Sequence, residues 1–305
     1  MSRKGSKPGA GEHLAEDARA ALSWTPVDRI AFARSPRWIG YPRAQEILDY
    51  LEFLLAHPPS HRMPGALLVS YTNNGKTHLV RHFLTCHTSG RAAANEASVQ
   101  PVIYVQAPPE PSERRLYASI IAALGEPFAA ADTSEERLFK VFRLVRQRGV
   151  RMLIIDEINH TVHGSYAKHR QYLSAIKYLG NELQISIVTV GTPEALTAIE
   201  VDPQLANRFE PLALPRWRMG EDFQRLLASF ETVLPLPERS HLGSPQVAEL
   251  VYGLSEGIVG EVSALLERAS EVAIRRSLPC VTLEVLESLR WRGPSARRAQ
   301  VSGLL

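Results

Sequence analysis

A Gly-Lys-Thr triplet follows a short apolar run in the first third of the chain. Lys76 and Thr77 end the segment 70–77, which comes directly after the apolar residues 66–69. A strand that enters a tight turn ending in Gly-Lys-Thr is typical of a phosphate-binding loop, in which backbone N–H groups and a helix N-terminus surround an anion. The pattern predicts that Lys76 contacts the outer phosphates of a nucleoside triphosphate, ATP in this case, and that Thr77 binds Mg²⁺.

The loop departs from the usual pattern at its first position, where Ser70 replaces glycine. Serine can open the turn if its φ is negative, so we expect the loop to keep its shape. A chance match is the alternative for so short a pattern. The residues expected around the nucleotide are Ser70, Asn73, Asn74, Gly75, Lys76, Thr77 and His78.

A second apolar run, residues 151–155, ends in the two carboxylates Asp156 and Glu157. Such a continuous apolar run is typical of a strand buried on both faces. After a phosphate-binding loop, the first carboxylate is expected to orient the Mg²⁺ shell and the second to act as general base on the attacking water. An acidic helix N-cap is the alternative. The Asp-Glu pair favours ATPases with a catalytic glutamate over GTPases and small-molecule kinases.

Composition agrees with a globular nucleotide-binding protein. The chain has 305 residues, 45% hydrophobic and 22% charged, with a net charge of +3 and a pI of about 8.9. These values suit one large and one smaller domain, and the mild basicity is weak support for a polyanionic partner. The two cysteines lack metal-type spacing, which predicts a reduced, cytoplasmic protein. The absence of a long apolar run predicts no membrane span.

Strand and helix patterns alternate up to about residue 215. Strands are expected at 66–69, 102–105, 151–155, 185–190 and 210–214, with helices between them. This alternation predicts an α/β fold with a parallel sheet between helices. Only helical patterns follow, which predicts a small C-terminal helical lid. The expected organisation is a flexible extension (1–36), a nucleotide-binding core (37–215), a lid (216–291) and a basic tail (292–305).

Two further residues narrow the fold class to an AAA+ P-loop ATPase. Thr192 ends the strand after the one carrying Asp156, where a polar side chain can hold water or the γ-phosphate; a helix N-cap is the equally good alternative. Arg208 is a candidate arginine finger that stabilises charge on the phosphate of a neighbouring subunit. A salt bridge within its own subunit is the alternative. A finger used between subunits would require a head-to-tail oligomer, a ring or a helical filament.

Seven stretches carry a family resemblance: RWIGYPRAQEIL (37–48), RMPGALLVSYTNNGKT (62–77), LIIDEINH (153–160), LSAIKYLGNEL (173–183), VGTPEA (190–195), QLANRF (204–209) and LPRW (214–217). On these the chain resembles the TniB family of AAA+ transposition proteins, which are similar to TnsC-type regulators and more distantly to IstB/DnaC-like loaders. The lid departs from the AAA+ pattern, because residues 256–261 lack the arginine that many AAA+ lids carry there. Slow, assembly-linked hydrolysis is therefore expected.

The resemblance implies an ATP- and Mg²⁺-dependent protein that assembles on duplex DNA without sequence preference. It further implies delivery of that DNA to a DDE transposase, with a TniQ-type targeting protein as another partner. Phosphate contacts by cationic side chains would make binding dependent on salt. The residues considered for DNA contact are Arg114, Arg115, Lys140, Arg143, Lys168 and Lys177; a solvated helix face is the alternative for each pair. Trp38 and Tyr41 are expected to form a wall of the nucleotide pocket, or else to pack on the first helix.

Two other functions share these sequence features. A DnaC/IstB-like helicase loader or replication-initiator ATPase would have the same core but engage a helicase. A nucleotide-gated scaffold without catalysis would bind ATP yet have no need of Glu157.

Overall fold

The computed structural model describes residues 9–88 and 99–302. They form two compact units. Pro42–Pro215 make up the first, and the described residues before and after this range make up the second. The two units are called the sheet unit and the helical unit below. The expected loop at 89–100 lies mostly outside the described residues.

The described residues contain fourteen α-helices and five strands. The helices are α1 (Glu16–Ala21), α2 (Pro26–Arg34), α3 (Pro42–Ala56), α4 (Lys76–Thr88), α5 (Glu113–Ala123), α6 (Ser134–Gln147), α7 (Tyr166–Leu183), α8 (Glu194–Glu200), α9 (Pro203–Ala206), α10 (Glu221–Val233), α11 (Pro245–Ser255), α12 (Val259–Arg275), α13 (Leu283–Ser288) and α14 (Pro294–Ser302). The strands are β1 (Gly65–Ser70), β2 (Val102–Gln106), β3 (Met152–Asp156), β4 (Ser186–Gly191) and β5 (Phe209–Leu214). A 3-10 helix, Ile158–His163, follows β3.

The strands form one parallel sheet in the order β2-β3-β4-β1-β5. The expected α/β architecture is therefore confirmed, and each strand ends within one residue of its predicted limit. The central strands β3 and β4 are buried along their whole length, which their Val- and Ile-rich sequences predict. The core joins apolar residues of the sheet, such as Ile103 and Leu153, to α5, α6 and α7. Because all strands run the same way, their carboxyl ends share one edge of the sheet.

The helical unit contains more of the chain's start than the sequence predicts. Where a flexible extension was expected up to residue 36, α1 and α2 are folded and contribute buried residues. Thr25 accepts a hydrogen bond from the Asp28 backbone N–H at 3.2 Å and caps α2. Ile30, only 7% exposed, joins the apolar core around Phe223 and Leu265. Helix α2 is too short for its apolar positions to form a clear periodic pattern, so only the partner helices reveal its buried face.

Arginines from α2 and α12 surround one buried carboxylate in the helical unit. Glu271 receives hydrogen bonds from Arg34 at 2.7 Å, Arg268 at 2.7 Å and Arg275 at 2.9 Å. Burial alone would raise the pKa of Glu271, but these hydrogen bonds from positive groups outweigh it and lower the pKa to about 2. The cluster therefore fastens α2 to α12.

The expected basic tail is also partly folded. Helix α14 begins at Pro294, and the Ser295 backbone N–H and hydroxyl donate to the Glu256 carboxylate at 2.7 and 2.8 Å. A carboxylate at this position satisfies free N–H groups at the start of a helix. Arg297 pairs with Glu261 at 2.6 Å. At least one of the basic side chains in this segment is thus engaged inside the helical unit rather than solvated.

Candidate nucleotide site

The phosphate-binding loop connects β1 directly to α4. Ser70 is the last residue of the strand, and Lys76 is the first of the helix. Asn73 and Gly75 have φ values of +61° and +90°. Glycine takes this conformation without a side-chain penalty, and asparagine is one of the few other residues that tolerate it. The turn therefore gets its shape from Asn73 and Gly75 and makes no such demand on Ser70.

Ser70 and Asn74 tie the loop to the end of the neighbouring strand. The Ser70 hydroxyl donates to the Leu214 carbonyl at 2.8 Å and accepts from the Asn74 side-chain amide at 3.0 Å. The same amide lies 3.0 Å from the Leu214 carbonyl and 2.9 Å from that of Pro215. Both residues are only 2% exposed. The serine that replaces glycine thus holds β1, the loop and β5 together.

Thr77, Asp156 and Tyr104 meet at the carboxyl edge of the sheet. One carboxylate oxygen of Asp156, Oδ2, accepts from the Thr77 hydroxyl at 2.9 Å and from the Tyr104 hydroxyl at 2.9 Å. The other, Oδ1, accepts from the Glu157 backbone N–H at 2.8 Å. Burial, together with the adjacent Asp156 carboxylate, raises the pKa of Tyr104 well above its ordinary value. Tyr104 therefore stays protonated and donates to Asp156.

These groups fit a magnesium ion. A buried carboxylate and a hydroxyl on one centre are the oxygen donors that Mg²⁺ prefers in nucleotide sites, where it keeps several waters. Thr77 and Asp156 are the residues that would hold it. Tyr104 was not expected at the site from the sequence, because an aromatic residue in a strand is usually explained by packing. Only the pairing of Gln106 with Asp156 shows that β2 ends beside the carboxylates.

Lys76 and Glu157 form an ion pair across the same edge. Lys76 Nζ lies 3.1 Å from Glu157 Oε1, and the two side chains are 7% and 24% exposed. Glu157 has a left-handed backbone conformation, φ +56°, which costs a residue with a Cβ about 1 kcal/mol or more. His160 Nε2 lies 4.0 Å from Glu157 Oε2. The expected phosphate ligand and the expected general base are thus neighbours.

Thr192 and Asn159 link the ends of β3 and β4. The Thr192 backbone N–H donates to Asn159 Oδ1 at 3.2 Å. The Thr192 hydroxyl bonds to the Glu194 carboxylate, and this hydrogen bond lowers the pKa of Glu194. Helix α8 follows Pro193 and has no side-chain cap. Asn159 was not singled out from the sequence, and no spacing signal distinguishes it; the sensor role of Thr192 stays a prediction.

Arg208 lies at the amino edge of the sheet, where the strands begin, opposite the carboxyl edge that carries the phosphate-binding loop. It precedes β5, whose first residue pairs with Gly65, whereas the phosphate-binding loop follows Ser70 beside Leu214. The rise of about 3.3 Å per strand residue over the five residues from Gly65 to Ser70 puts the start of β5 about 17 Å from the level of the phosphate-binding loop. Arg208 Nη1 donates to Asn181 Oδ1 on α7 at 2.6 Å, and its Nε is buried without a partner among the described residues. Within that part of the chain no carboxylate pairs with Arg208, so the alternative of a salt bridge within its own subunit is not observed, and the guanidinium contacts an amide instead. The role of Arg208 as an arginine finger stays a prediction.

The remaining residues expected at the nucleotide site are His78, Trp38 and Tyr41. His78 is exposed on the first turn of α4. Tyr41 and Trp38 belong to the helical unit, where the Tyr41 ring contacts Trp217 edge to face at 5.0 Å. Burial raises the pKa of Tyr41 to about 12. Their role as a wall of the nucleotide pocket stays a prediction.

The candidate DNA contacts fall into three groups. Arg114, Arg115, Lys140 and Arg143 lie on the neighbouring helices α5 and α6. In this group Arg114 donates to the Ala130 and Asp132 carbonyls, and Lys140 to the Pro127 carbonyl. Lys168 is exposed near the start of α7. Lys177 is paired with Asp202 at 2.8 Å, so its charge is already matched within the chain.

The strand order, with the phosphate-binding loop on β1 and the carboxylates on β3, defines an AAA+ P-loop ATPase fold. Known AAA+ proteins share it at low identity. The chain is similar to ORC2 of Aeropyrum pernix, solved in ADPNP and ADP complexes (TM-score 0.61, 16% identity, 84% of this chain and 70% of that one). It is also similar to the ORC1 protein of the same organism in complex with DNA (TM-score 0.57, 22% identity, 81% of this chain and 63% of that one). A third similar structure is the Thermotoga maritima RuvB Holliday junction branch migration motor (TM-score 0.51, 15% identity, 84% of this chain and 72% of that one).

The chain belongs to the TniB family. Its sequence matches the family described as bacterial TniB protein over residues 29–219, which is more than half of the chain. The resemblance stated from the sequence is therefore confirmed. No curated protein matches the chain at a significant level. Among the described residues, no helix is long and apolar enough to cross a membrane.

Proposed function

We propose that this TniB-family chain binds and hydrolyses ATP at joints between its own copies, assembles on duplex DNA and delivers that DNA to a DDE transposase. The position of Arg208 carries the proposal. It lies about 17 Å along the strands from the level of its own phosphate-binding loop, at the opposite edge of the sheet. An arginine finger at that edge serves the nucleotide of another copy.

The ion pair between Lys76 and Glu157 supports a role for ATP as a switch. A triphosphate attracts Lys76 more strongly than one carboxylate does, so binding would break the pair and release Glu157. The freed carboxylate would then take a proton from the attacking water as general base. When bound, Mg²⁺ offsets the negative charge of the phosphate oxygens. Thr77 and Asp156 would hold it, and Tyr104 would keep the Asp156 carboxylate in place.

The head-to-tail geometry follows from the two edges of the sheet. One copy would present Lys76 and Thr77 at its carboxyl edge, and the next would present Arg208 from its amino edge. A contact that uses two different surfaces leaves a free surface of each kind at the ends, so copies add until the assembly closes into a ring or continues as a helical filament. The amide of Asn181, 2.6 Å from Arg208, would hold the guanidinium at that surface until the neighbour's phosphates arrive.

DNA binding is proposed from the family and from the basic helices. The similar ORC1 protein was solved in complex with DNA. In this chain, Arg115 and Arg143 are exposed on the adjacent helices α5 and α6, and Lys168 is exposed on α7. Repetition of these cations along an assembly would give many weak phosphate contacts, which makes binding indifferent to sequence and sensitive to salt. We also propose that the protein acts in the cytoplasm and that a TniQ-type targeting protein is one of its partners.

Electron microscopy with duplex DNA tests this assembly. Rings or filaments are expected with DNA and a non-hydrolysable ATP analogue together, and neither is expected when DNA or the analogue is omitted. Lys76→Ala should remove them, because it loses the main phosphate contact. A wild-type protein that stays monomeric under all conditions would refute the proposal. Preference for single-stranded DNA and binding to a helicase would instead support a helicase loader.

Mixed assemblies test the contact between copies. Lys76→Ala lacks the phosphate contact but keeps Arg208, whereas Arg208→Ala keeps the loop but lacks the finger. In an equal mixture, about one quarter of head-to-tail joints would combine an intact loop with an intact arginine. DNA-stimulated ATP hydrolysis should therefore reappear on mixing two inactive variants. If mixing restores nothing although the assemblies formed by the mixture contain both variants, Arg208 does not act on a neighbour.

A further inference from the structure

A cavity of about 580 Å³ opens beside the carboxylate edge of the sheet. Its walls come from the end of β2 and the segment after it, from one face of α5, from the segment between α5 and α6, from α6 itself and from the 3-10 helix after β3. The lining residues are Gln106, Ala107, Pro108, Pro109, Arg115, Ala118, Ser119, Ala122, Phe128, Arg137 and His160. Most of these side chains are apolar, and two carry a positive charge. The cavity is distinct from the residues assigned to the nucleotide.

Arg137 is the unusual member of this lining. It is 6% exposed, and it donates to the backbone carbonyls of Arg114 at 3.2 Å and Ala129 at 2.8 Å. Its guanidinium lies 4.9 Å from the centre of the Phe128 ring. Its Nε is buried without a hydrogen-bond partner, and no carboxylate among the described residues pairs with it. A buried positive charge without an anion is unfavourable unless a ligand supplies one.

We propose that this cavity binds an acidic peptide segment whose carboxylate pairs with Arg137 and whose neighbouring apolar side chain contacts Phe128 and the alanines of α5. A planar guanidinium is suited to a carboxylate, and an apolar wall to the side chain next to it. Arg115 at the exposed rim adds attraction for a negatively charged segment. Phosphates of duplex DNA fit less well, because they are held on a stiff polar backbone and Arg137 is almost fully buried.

His160 connects this cavity to the nucleotide site. It lines the cavity, and its Nε2 lies 4.0 Å from Glu157 Oε2. A bound peptide that moves His160 changes the surroundings of Glu157 and thereby the rate of hydrolysis. This coupling rests on the proposed catalytic role of Glu157, whereas peptide binding in the cavity does not.

Binding can be measured without nucleotide or DNA. The probe is the aromatic anion 1-anilinonaphthalene-8-sulfonate, whose fluorescence increases in apolar cavities. Ala122→Phe fills the cavity from an exposed position, and Arg137→Met removes the buried charge but keeps an apolar stem. Arg137→Met should weaken the probe's affinity about tenfold, the size of one hydrogen bond to a charged group. Ala122→Phe should weaken it by at least as much, because the added ring takes the space that the probe needs. Arg143→Met, an exposed arginine on the same helix as Arg137, is the matched control and should leave the affinity within twofold.

Competition then identifies the occupant. The peptide Ac-Phe-Asp-NH₂ should displace the probe at least fivefold more effectively than the neutral Ac-Phe-Asn-NH₂, as expected of a charge-assisted contact. Inorganic phosphate should displace it no better than sodium chloride of equal ionic strength. Unchanged probe binding in Ala122→Phe refutes the site, even if Arg137→Met fails to fold. Equal displacement by both peptides, or displacement by phosphate alone, refutes the acidic peptide as its occupant.

Discussion

Replacement of Glu157 by glutamine should tighten ATP binding while it abolishes hydrolysis. In the structure, Glu157 Oε1 lies 3.1 Å from Lys76 Nζ, so a triphosphate must displace the Glu157 carboxylate from Lys76. At an effective dielectric constant of about 20, this separation corresponds to a gross attraction of about 5 kcal/mol. Desolvation of the two largely buried groups offsets most of that attraction, which leaves about 1 kcal/mol as the net value of the pair. Removal of the competing charge should therefore tighten ATP binding about fivefold.

The assay separates binding from chemistry. Dissociation constants would come from anisotropy titrations with a fluorescent ATP analogue, and turnover from phosphate release. Loss of a general base should reduce turnover about 100-fold or more. Glu110→Gln provides a control with the same change of charge, because Glu110 is exposed on the segment after the neighbouring strand β2. Its affinity and turnover should match the wild type.

Two outcomes would contradict this reasoning. If Glu157→Gln binds ATP no more tightly than the wild type, the ion pair does not compete with the phosphates. If it hydrolyses ATP at the wild-type rate, Glu157 is not the base, and a nucleotide-gated scaffold describes the chain better.

Three further changes test the surrounding structure. Tyr104→Phe removes one hydrogen bond to Asp156, so the Mg²⁺ concentration for half-maximal ATP hydrolysis should rise about fivefold; an unchanged Mg²⁺ titration would contradict this. Glu271→Gln should lower the free energy of unfolding in urea by about 1–2 kcal/mol at pH 7, after allowance for the solvent exposure of the surrounding arginines. Because the folded pKa of Glu271 is lowered to about 2, that difference should be full above pH 4.5 and disappear as the pH falls towards 2; a difference independent of pH would contradict it. Gly65→Ala would bring a Cβ within 2.5 Å of the Ile187 carbonyl and the Phe209 ring, so the free energy of unfolding should fall by about 1–3 kcal/mol, and unchanged stability would count against that packing.

Local patterns in the sequence were sufficient for the main parts of the fold. Apolar runs predicted the strands β1 to β4, because a strand buried on both faces needs a continuous run of apolar residues. The last strand, β5, was also predicted, although three of its six residues are exposed. The Gly-Lys-Thr turn and the Asp-Glu pair predicted that the polar residues of the site follow β1 and β3. Both motifs can be recognised from the sequence because their residues are contiguous in the chain. The family resemblance rests on the same contiguous segments.

The folded start of the chain was beyond such patterns. Helices α1 and α2 span only six and nine residues, and they are stabilised by contacts with distant residues, such as Arg34 with Glu271. Helix α14 likewise depends on Glu256 and Glu261. Short helices of this kind are marginal on their own and form only where a partner buries one face.

The sequence alone determined the type of site, because a turn and a strand end are built from neighbouring residues. The tertiary structure alone decided which side chains form hydrogen bonds with each other and which lie at the same edge of the sheet. Tyr104 reaches Asp156, Asn181 reaches Arg208, and Ser70 reaches the Leu214 carbonyl. These partners are separated by dozens of residues or more, and the order and register of the strands bring them together. Neither order nor register is encoded in any single segment, since both arise from the packing of the whole sheet.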